Sequence, residues 1–511
     1  MVAAVKATVM TNRLLFASLF SVGLMAMPQA TPSTSQIHDL VIAGGRVIDP
    51  ESGLDGVRHI GIQADRIVAI SAEPLQGRDT IDAAGLVVSP GFIDIHRHAV
   101  GDNSYRYAAR DGVTSAFELE IGAPDVDAWY RMMGPARLIN FGVAAGHIGA
   151  RMQVLGDKGF LLPTGPGRGP ATEAQVVEIL KMIDTGLQAG GVAVGMGLAY
   201  TPGASPEEVS GVLRLAAGHG AFVLTHLRGG GVTGLQRLLE GAAGLGAAIH
   251  IAHINSSAGS DIQAYLDAVK TARAKNADVT TEVYPYTAGA SLIQSALYDG
   301  WETWTNERFA SLQWAATGER LTRETFAKYR AQGGSVISHS NTEEHLRVGI
   351  ADPLPMFASD GGRDFDDNPT HPRGTGTFAR ILGHYVRNEK TLSLADALRR
   401  MTIEPARRLQ ARVPEMRDRG RLRVGAFADI TVFDPATVID RSTYTNAAAY
   451  SDGILHVVVN GTPVVRGGAF DTHGELQGQR IVIGSRMPGR PIRAARGAAG
   501  RAGGSSRPEA P

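Results

Sequence analysis

The segment Pro90-Gly91-Phe92-Ile93-Asp94-Ile95-His96-Arg97-His98 shows the chemistry most directly. Its apolar run, Gly91 to Ile95, reads as a buried strand ending in two histidines one residue apart. Side chains alternate along a strand, so His96 and His98 point the same way. Two imidazoles converging at a strand's C-terminal end suit one metal ion. Alone, such a pair reads equally as two core or surface histidines. The residues that follow change the balance. Glu118 and Glu120 share one face of a second apolar run, His226 ends Leu224-Thr225-His226, and His253 ends Ile251-Ala252-His253. Asp360 ends Ala358-Ser359-Asp360. An Asp before Gly is often a turn former, and His250, which precedes its strand, reads as structural. Ionisable residues at successive strand ends point jointly to a metal-centred hydrolytic site.

Those residues must be positioned by strands that share one end. Eight strand candidates run through the middle of the chain: Gly91–His98, Ser115–Glu120, Asn140–His147, Val192–Tyr200, Ala221–Arg228, Ala248–Ile254, Asp278–Tyr286 and Met356–Asp360. Helical stretches alternate with them, the pattern of βαβ units. This predicts an α/β fold, a (β/α)₈ TIM-type barrel over 89–407, whose active site lies at the C-terminal ends of its strands. Short strands recur at 38–88 and again at 408–470, which predicts a small β-sandwich domain built from both termini. The stretch from about 290 to 350, with Trp301, Trp304 and Trp314, is long for one connection and reads as an insertion forming part of a substrate lid.

The chain has 511 residues, 43% hydrophobic and 20% charged, enough for a large core and more than one domain. Its 50 basic and 50 acidic residues balance, so no electrostatic footprint for nucleic acid or a membrane surface is present. Cysteine is absent, which excludes disulfides and thiolate ligands. A metal must therefore be held by His, Asp, Glu or a modified Lys. Lys6 and Arg13 precede the apolar run Leu14 to Met27, and Pro28-Gln29-Ala30 offers a cleavage site. Residues 1–30 thus read as a signal peptide, predicting a secreted or periplasmic protein with no stable membrane association after cleavage. Residues 485–511, rich in Arg, Gly, Ala, Ser and Pro, read as a disordered tail.

From Gly44 to about Gly468 the chain resembles the amidohydrolase superfamily, and within it the N-acyl-D-amino-acid deacylase (D-aminoacylase) family. The resemblance rests on Pro90–His98, on Gly197-Leu198-Ala199-Tyr200-Thr201-Pro202-Gly203, on Tyr284-Pro285-Tyr286-Thr287-Ala288-Gly289 and on His371-Pro372-Arg373-Gly374. It extends to Arg419-Gly420-Arg421-Leu422 and Phe433-Asp434-Pro435. It implies metal-dependent hydrolysis of a small-molecule amide, with His96, His98, His226, His253 and Asp360 as metal ligands. Zinc is the expected ion, one or two of them, and other divalent cations are compatible.

Two departures stand out. The family supplies a cysteine after the second strand, whereas this chain has Ile121-Gly122 there, so Glu120, or failing it Glu118, is the natural replacement. A carboxylate bridges hard or borderline cations and changes metal preference. The family's lysine two residues after the sixth-strand histidine is here Asn255, which weakens the case for a free acyl-D-amino acid. Tyr200, Arg373 and Arg228 remain for substrate binding, with Arg373 alternatively bracing its loop through Asp364, Asp366 or Asp367. Asp360 is the expected general base and then acid, while Tyr200, His147 or His226 assists the developing oxyanion. The same metal site is compatible with a dipeptide, a lactone, or a cyclic or aryl amide. A non-catalytic binding protein on a barrel scaffold would predict a broken ligand set, and this set is complete.

Overall fold

Eight parallel strands follow one another around a single sheet in chain order. They are Phe92–Asp94, Val113–Ala123, Asn140–Gly146, Val194–Gly197, Phe222–His226, Ala248–Ile251, Val279–Val283 and Met356–Phe357. The computed structural model describes residues 37–98, 101–362, 368–471, 475–476, 479–480 and 487–496. Past the eighth strand, the Asp360 N–H donates to the His96 carbonyl at 2.8 Å and the His98 N–H donates to the Gly361 carbonyl at 2.8 Å. Arg97 and Gly361 form a parallel bridge there, so the last strand meets the first and the ring closes. This is the expected (β/α)₈ architecture. Helix starts are marked in the sequence: Ser205 accepts from the Glu208 N–H at the head of Pro206–Gly218, and Thr172 forms a capping box on Glu173–Gln188.

The flanking strands pair across the length of the chain. His38–Asp49, Leu54–Gln63, Arg66–Ser71, Gly77–Asp82 and Val87–Pro90 join Ile430–Phe433, Ile454–Val459, Thr462–Arg466 and Ala469–Phe470 in one nine-stranded sheet. Val87–Pro90 runs antiparallel to Ile430–Phe433, and Leu40, Ile42, Ile60, Ile62, Ile430 and Val432 share one core. Its joining strand, Val87–Pro90, leads directly into the first barrel strand, which ties the two parts together.

The stretch after the seventh strand is an insertion with its own structure. Gly289–Leu292, Leu312–Trp314 and Ser335–Ser338 form a three-stranded antiparallel sheet. It is held by Ile293, Phe309, Trp314, Phe326 and Tyr329, with Trp314 stacked on Tyr329 at 4.1 Å between ring centroids.

The apolar cluster drawn from strands around the ring, including Ile93, Phe117, Leu224 and Met356, also contains Ile492. This corrects the expectation of a disordered tail for residues 487–496. The Ile492 N–H donates to the Phe141 carbonyl at 2.7 Å, and Gly489 bridges Arg137, at the N-terminal side of the third strand. Arg493 reaches Asp127 at 3.2 Å and lies over the Tyr130 ring. One buried isoleucine among Arg, Gly and Pro is a weak compositional signal, yet it fills the end of the ring opposite the histidines. The expected signal peptide, residues 1–30, lies outside the described residues, as do 485–486 and 497–511 of the tail. Among the described residues no helix is long and apolar enough to cross a membrane. Ile492→Ala should cost about 2–5 kcal/mol by leaving a cavity. Chemical denaturation should show this loss with metal content unchanged.

Candidate metal centre

The closure of the ring brings the first and eighth strand ends side by side. His96 Nε2 and His98 Nε2 lie 3.2 Å apart, as the alternation of a strand requires. Asp360 Oδ1 lies 3.1 Å from His98 Nε2 and 3.4 Å from His96 Nε2. Asp94 anchors this seam from behind, accepting from Ser359 Oγ at 2.6 Å and from the Ser359 N–H at 3.0 Å. His253 and Asp360 both have left-handed backbones, with φ of 30° and 49°. Such conformations are costly for non-glycine residues and recur where a strand end must turn a side chain into a site.

Glu120 comes from the second strand and is fully buried. Its Oε2 lies 3.3 Å from His98 Nε2 and 3.5 Å from His96 Nε2. Its Oε1 lies 2.8 Å from His226 Nδ1 and 3.3 Å from His253 Nε2. Two donor sets therefore meet at one carboxylate: His96, His98, Glu120 and Asp360, and Glu120, His226 and His253, each set within 4.8 Å. The fourth strand packs against Glu120 through Gly195, where a Cβ would stand 2.5 Å from the Glu120 carbonyl oxygen. Of the two strand-two carboxylates, Glu120 is the one whose oxygens lie among the four histidines. Glu118 instead accepts from His98 Nδ1 at 2.7 Å and stands behind that histidine.

The donor chemistry fits divalent ions. Buried carboxylates converge here, and Arg373 is the guanidinium in contact with them, its Nη1 2.7 Å from Asp360 Oδ2. Burial works against a charged His96, yet Glu282, Asp360 and Glu120 raise its pKa well above the usual value. Burial would likewise raise the pKa of Asp360, but Arg373, with His96 and His98, holds it well below the usual carboxylate range. The pocket is thus a well of negative potential whose buried charge calls for cations. Imidazole and carboxylate donors at this spacing suit zinc and similar ions.

The remaining expected site residues separate into two groups. Tyr200 is buried with its ring 4.8 Å from that of His226. Arg373 also donates from Nη2 to the Ala290 carbonyl at 3.2 Å, linking Asp360 to the insertion. The loop carboxylates Asp364, Asp366 and Asp367, considered as its partners, lie outside the described residues. Ala290, Ser291 and Ser335 of the insertion line a small cavity with Asp360, His371 and Arg373. Asn255 is buried; its Nδ2 donates to the Tyr284 carbonyl at 3.2 Å, and its Oδ1 has no partner among the described residues.

Arg228 and His147 turn elsewhere. Arg228 donates from Nη2 to the Ala204 carbonyl at 2.7 Å and braces the loop after the fourth strand. His147 was an expected oxyanion partner, but its Nε2 lies 2.7 Å from Glu208 Oε1 in a buried cluster with Arg151. A strand-end histidine followed at once by a helix, His147–Leu155, is drawn toward the neighbouring helix instead of the mouth.

Two residues carry roles that spacing does not reveal. Glu282, in the seventh strand, contacts His96 Nδ1 through Oε1 and lies 3.0 Å from His250 Nε2 through Oε2. The one available signal was a carboxylate inside an otherwise β-branched run, Val279–Val283. His371 donates from Nε2 to the Ala288 carbonyl at 3.0 Å and accepts the Arg373 N–H on Nδ1 at 3.1 Å. Burial, then Arg373, lowers its pKa well below the usual value, so it stays neutral. Glu120→Ala should strip metal from both donor sets, whereas Glu118→Ala should retain most of it. Elemental analysis of the two purified variants distinguishes them, and equal loss would contradict a bridging Glu120.

The chain matches the amidohydrolase family over residues 106–465. It is 32% identical over 478 residues to N-acyl-D-glutamate deacylase of Alcaligenes xylosoxydans xylosoxydans, covering 83% of this chain and 93% of that protein. D-aminoacylase of the same organism is 29% identical over 488 residues, covering 86% of this chain and 96% of that protein. The crystal structure of N-acyl-D-glutamate deacylase from Bordetella bronchiseptica, complexed with zinc and a phosphonate inhibitor, superposes with a TM-score of 0.74. It is 26% identical and covers 90% of this chain and 100% of that one. A D-aminoacylase structure described as having a binuclear metal centre gives a TM-score of 0.71 at 25% identity, covering 89% of this chain and 100% of that one. With its ring of eight strands and its histidines and carboxylates gathered at their C-terminal ends, the chain belongs to the amidohydrolase family, in the branch of the D-aminoacylases.

Proposed function

We propose that this protein is a zinc-dependent amidohydrolase of the D-aminoacylase type, acting on the amide of an N-acyl amino acid or a related small molecule. The observation that carries this reading is the meeting of two donor sets at Glu120 beside an Asp360 paired with Arg373. A bound divalent ion lowers the pKa of water towards neutrality and polarises a carbonyl. Asp360 presents Oδ1 to the histidines and Oδ2 to Arg373, so it is anionic and fixed in direction. It takes the proton from the attacking water and passes it to the departing nitrogen, as base and then acid. Tyr200, whose ring lies 4.8 Å from that of His226, would assist the developing oxyanion. The insertion contributes Ala290, Ser291 and Ser335 to the cavity beside Asp360.

One observation favours a second reading of the substrate. Asn255 replaces a cation with a neutral amide whose Oδ1 is a buried acceptor lacking a donor among the described residues. That end of the pocket matches a group that donates a hydrogen bond better than a carboxylate. A dipeptide, a lactone, or a cyclic or aryl amide is then served by the same metal chemistry. Turnover of N-acetyl-D-amino acids, their L-enantiomers, the corresponding neutral amides and lactones separates the readings. Turnover of none by the zinc-loaded protein would overturn both.

We also propose export, on the strength of Lys6, Arg13 and the apolar run that follows. The mature N-terminus should lie near residue 31, and N-terminal sequencing of protein from the periplasm or medium checks this.

Asp360→Asn should reduce kcat by about 10²–10⁴-fold with metal retained, because it removes the proton carrier and keeps an oxygen ligand. Arg373→Met should move the acid limb of kcat/KM to higher pH. The sign follows from Asp360: a base works only when deprotonated, burial works against its anion, Arg373 favours it, and removing Arg373 therefore raises the pKa of Asp360. An acid limb that stays in place would show that Asp360 is not the titrating base.

A further inference from the structure

A cleft of about 740 Å³ lies where the seventh and eighth barrel strands begin, at the end of the ring opposite the histidines. Asp278 and Thr280 line it from the start of the seventh strand, and Met356 from the start of the eighth. The helices Ile262–Ala274, Leu394–Met401 and Ile403–Gln410 supply its other charged walls. No residue of the metal cluster lines it.

Charge in this cleft does not balance. Three cations meet three carboxylates: Lys270 contacts Asp352, Arg399 contacts Glu404, and Arg408 contacts Asp278. Arg273 and Arg407 also line the cleft, and both are exposed. Arg407 lies 3.5 Å from Glu51 Oε1, but Arg421 holds that same oxygen at 3.0 Å. The wall therefore carries two cations beyond its carboxylates.

Arg408 is the covered member of the group. Its side chain is 6% exposed, and its guanidinium carbon lies 4.6 Å from the Phe222 ring centroid. Its Nη1 donates to Asp278, whose own side chain is 65% exposed. Nε and Nη2 are buried with no hydrogen-bond partner among the described residues. Those two nitrogens form one edge of the guanidinium, a fork that binds a carboxylate or phosphate through two parallel hydrogen bonds. Leaving donors of a covered charge unsatisfied is costly. Burial lowers the pKa of Arg408, Asp278 offsets only part of that, and Arg273 lowers it further. An oxyanion would satisfy the empty edge and the two surplus cations together. Pro353, Leu354, Met356 and Ala411 add apolar wall. A cleft of this size and mixture is larger than a bare ion needs and suits a small organic molecule.

We propose that this cleft is a second binding site, for an organic anion whose carboxylate or phosphate head is held by Arg408, Arg273 and Arg407 and whose apolar body lies on Leu354 and Met356. The head meets the Arg408 fork through a turn of the guanidinium, since both nitrogens are covered. The site is separate from the metal centre and does not depend on which amide is hydrolysed.

The zinc-loaded protein is titrated by calorimetry with phenyl phosphate, benzoate, inorganic phosphate and benzyl alcohol at constant ionic strength. Phenyl phosphate or benzoate should bind saturably, inorganic phosphate more weakly and benzyl alcohol not at all. The tighter of the two aromatic anions identifies the head group. Anions also bind metal ions, so variants assign the site. Arg273→Glu combined with Arg407→Glu leaves the metal cluster untouched and should weaken binding by about tenfold or more, with zinc content and circular dichroism unchanged. Arg408→Met should abolish the same binding, and the double variant serves if Arg408→Met fails to fold. Affinity within about twofold of the parent in the double variant would overturn the proposal, because a lost hydrogen bond to a charged group costs more than that. So would the absence of saturable binding by both aromatic anions, or benzyl alcohol binding as tightly as they do.

Discussion

A buried carboxylate shared between two sets of histidines is the constraint around which the rest of this structure is arranged. Glu120 is fully buried and presents one oxygen to His96 and His98 and the other to His226 and His253. A charge in that position is costly unless it is paired and hydrogen-bonded. Nearby Asp360 and Glu282 add to the same negative field, and Arg373 offsets only the part at Asp360. The lasting solution is cationic, and imidazoles held between carboxylates are its scaffold. Glutamate has a side chain one methylene longer than aspartate, with two oxygens. It spans from the second strand to donors on both sides of the mouth. The packing of the fourth strand through a glycine lets that carboxylate's own backbone sit close to its neighbours.

The fold supplies the aim that the carboxylate requires. Ring closure is made by backbone bonds from Asp360 to His96 and from His98 to Gly361. The bonds that close the barrel are thus the ones that bring ligands together, so the centre cannot be loosened without opening the ring. The left-handed turns at His253 and Asp360 fit this picture. Strain at a strand end persists where surrounding hydrogen bonds over-determine it, and Asp94 with Ser359 does so beside Asp360. At the opposite end Ile492 fills the ring, and the nine-stranded sheet continues directly into the first barrel strand.

The convergence of these side chains was legible in the sequence because two regular rules act together. Alternation along a strand places His96 with His98, and the barrel places each strand's C-terminal end at one mouth. Glu120, His226, His253 and Asp360 follow from the same rules. His147 obeyed the pattern and yet turned away, because a buried guanidinium and carboxylate, Arg151 and Glu208, stood within reach on the helical side. Pattern gives position along a strand, but not the competing partner. Glu282 was hidden for the opposite reason. It lies 186 residues from His96 with no spacing to link them, and only the ring's curvature makes them neighbours. The docked stretch around Ile492 was masked by its Arg-, Gly- and Pro-rich surroundings, since composition averages away a single buried side chain.

The substrate end obeys a different logic from the metal end. Around His96 and His98 carboxylates stand on both ring nitrogens, and the geometry is tightly held. Around Asn255 it is not: one amide nitrogen is spent on the Tyr284 carbonyl, and among the described residues the buried amide oxygen is left without a donor. Arg373 is committed to Asp360 and the Ala290 carbonyl. A substrate carboxylate bound by Arg373 would compete with the base for the same guanidinium and would weaken the field that keeps Asp360 ionised. A neutral group that donates to Asn255 would satisfy the orphan oxygen and leave the Arg373–Asp360 pair intact. On the proposed reading, specificity in this pocket would thus be coupled to catalysis through Arg373, with Asn255 offering a hydrogen bond in place of a charge.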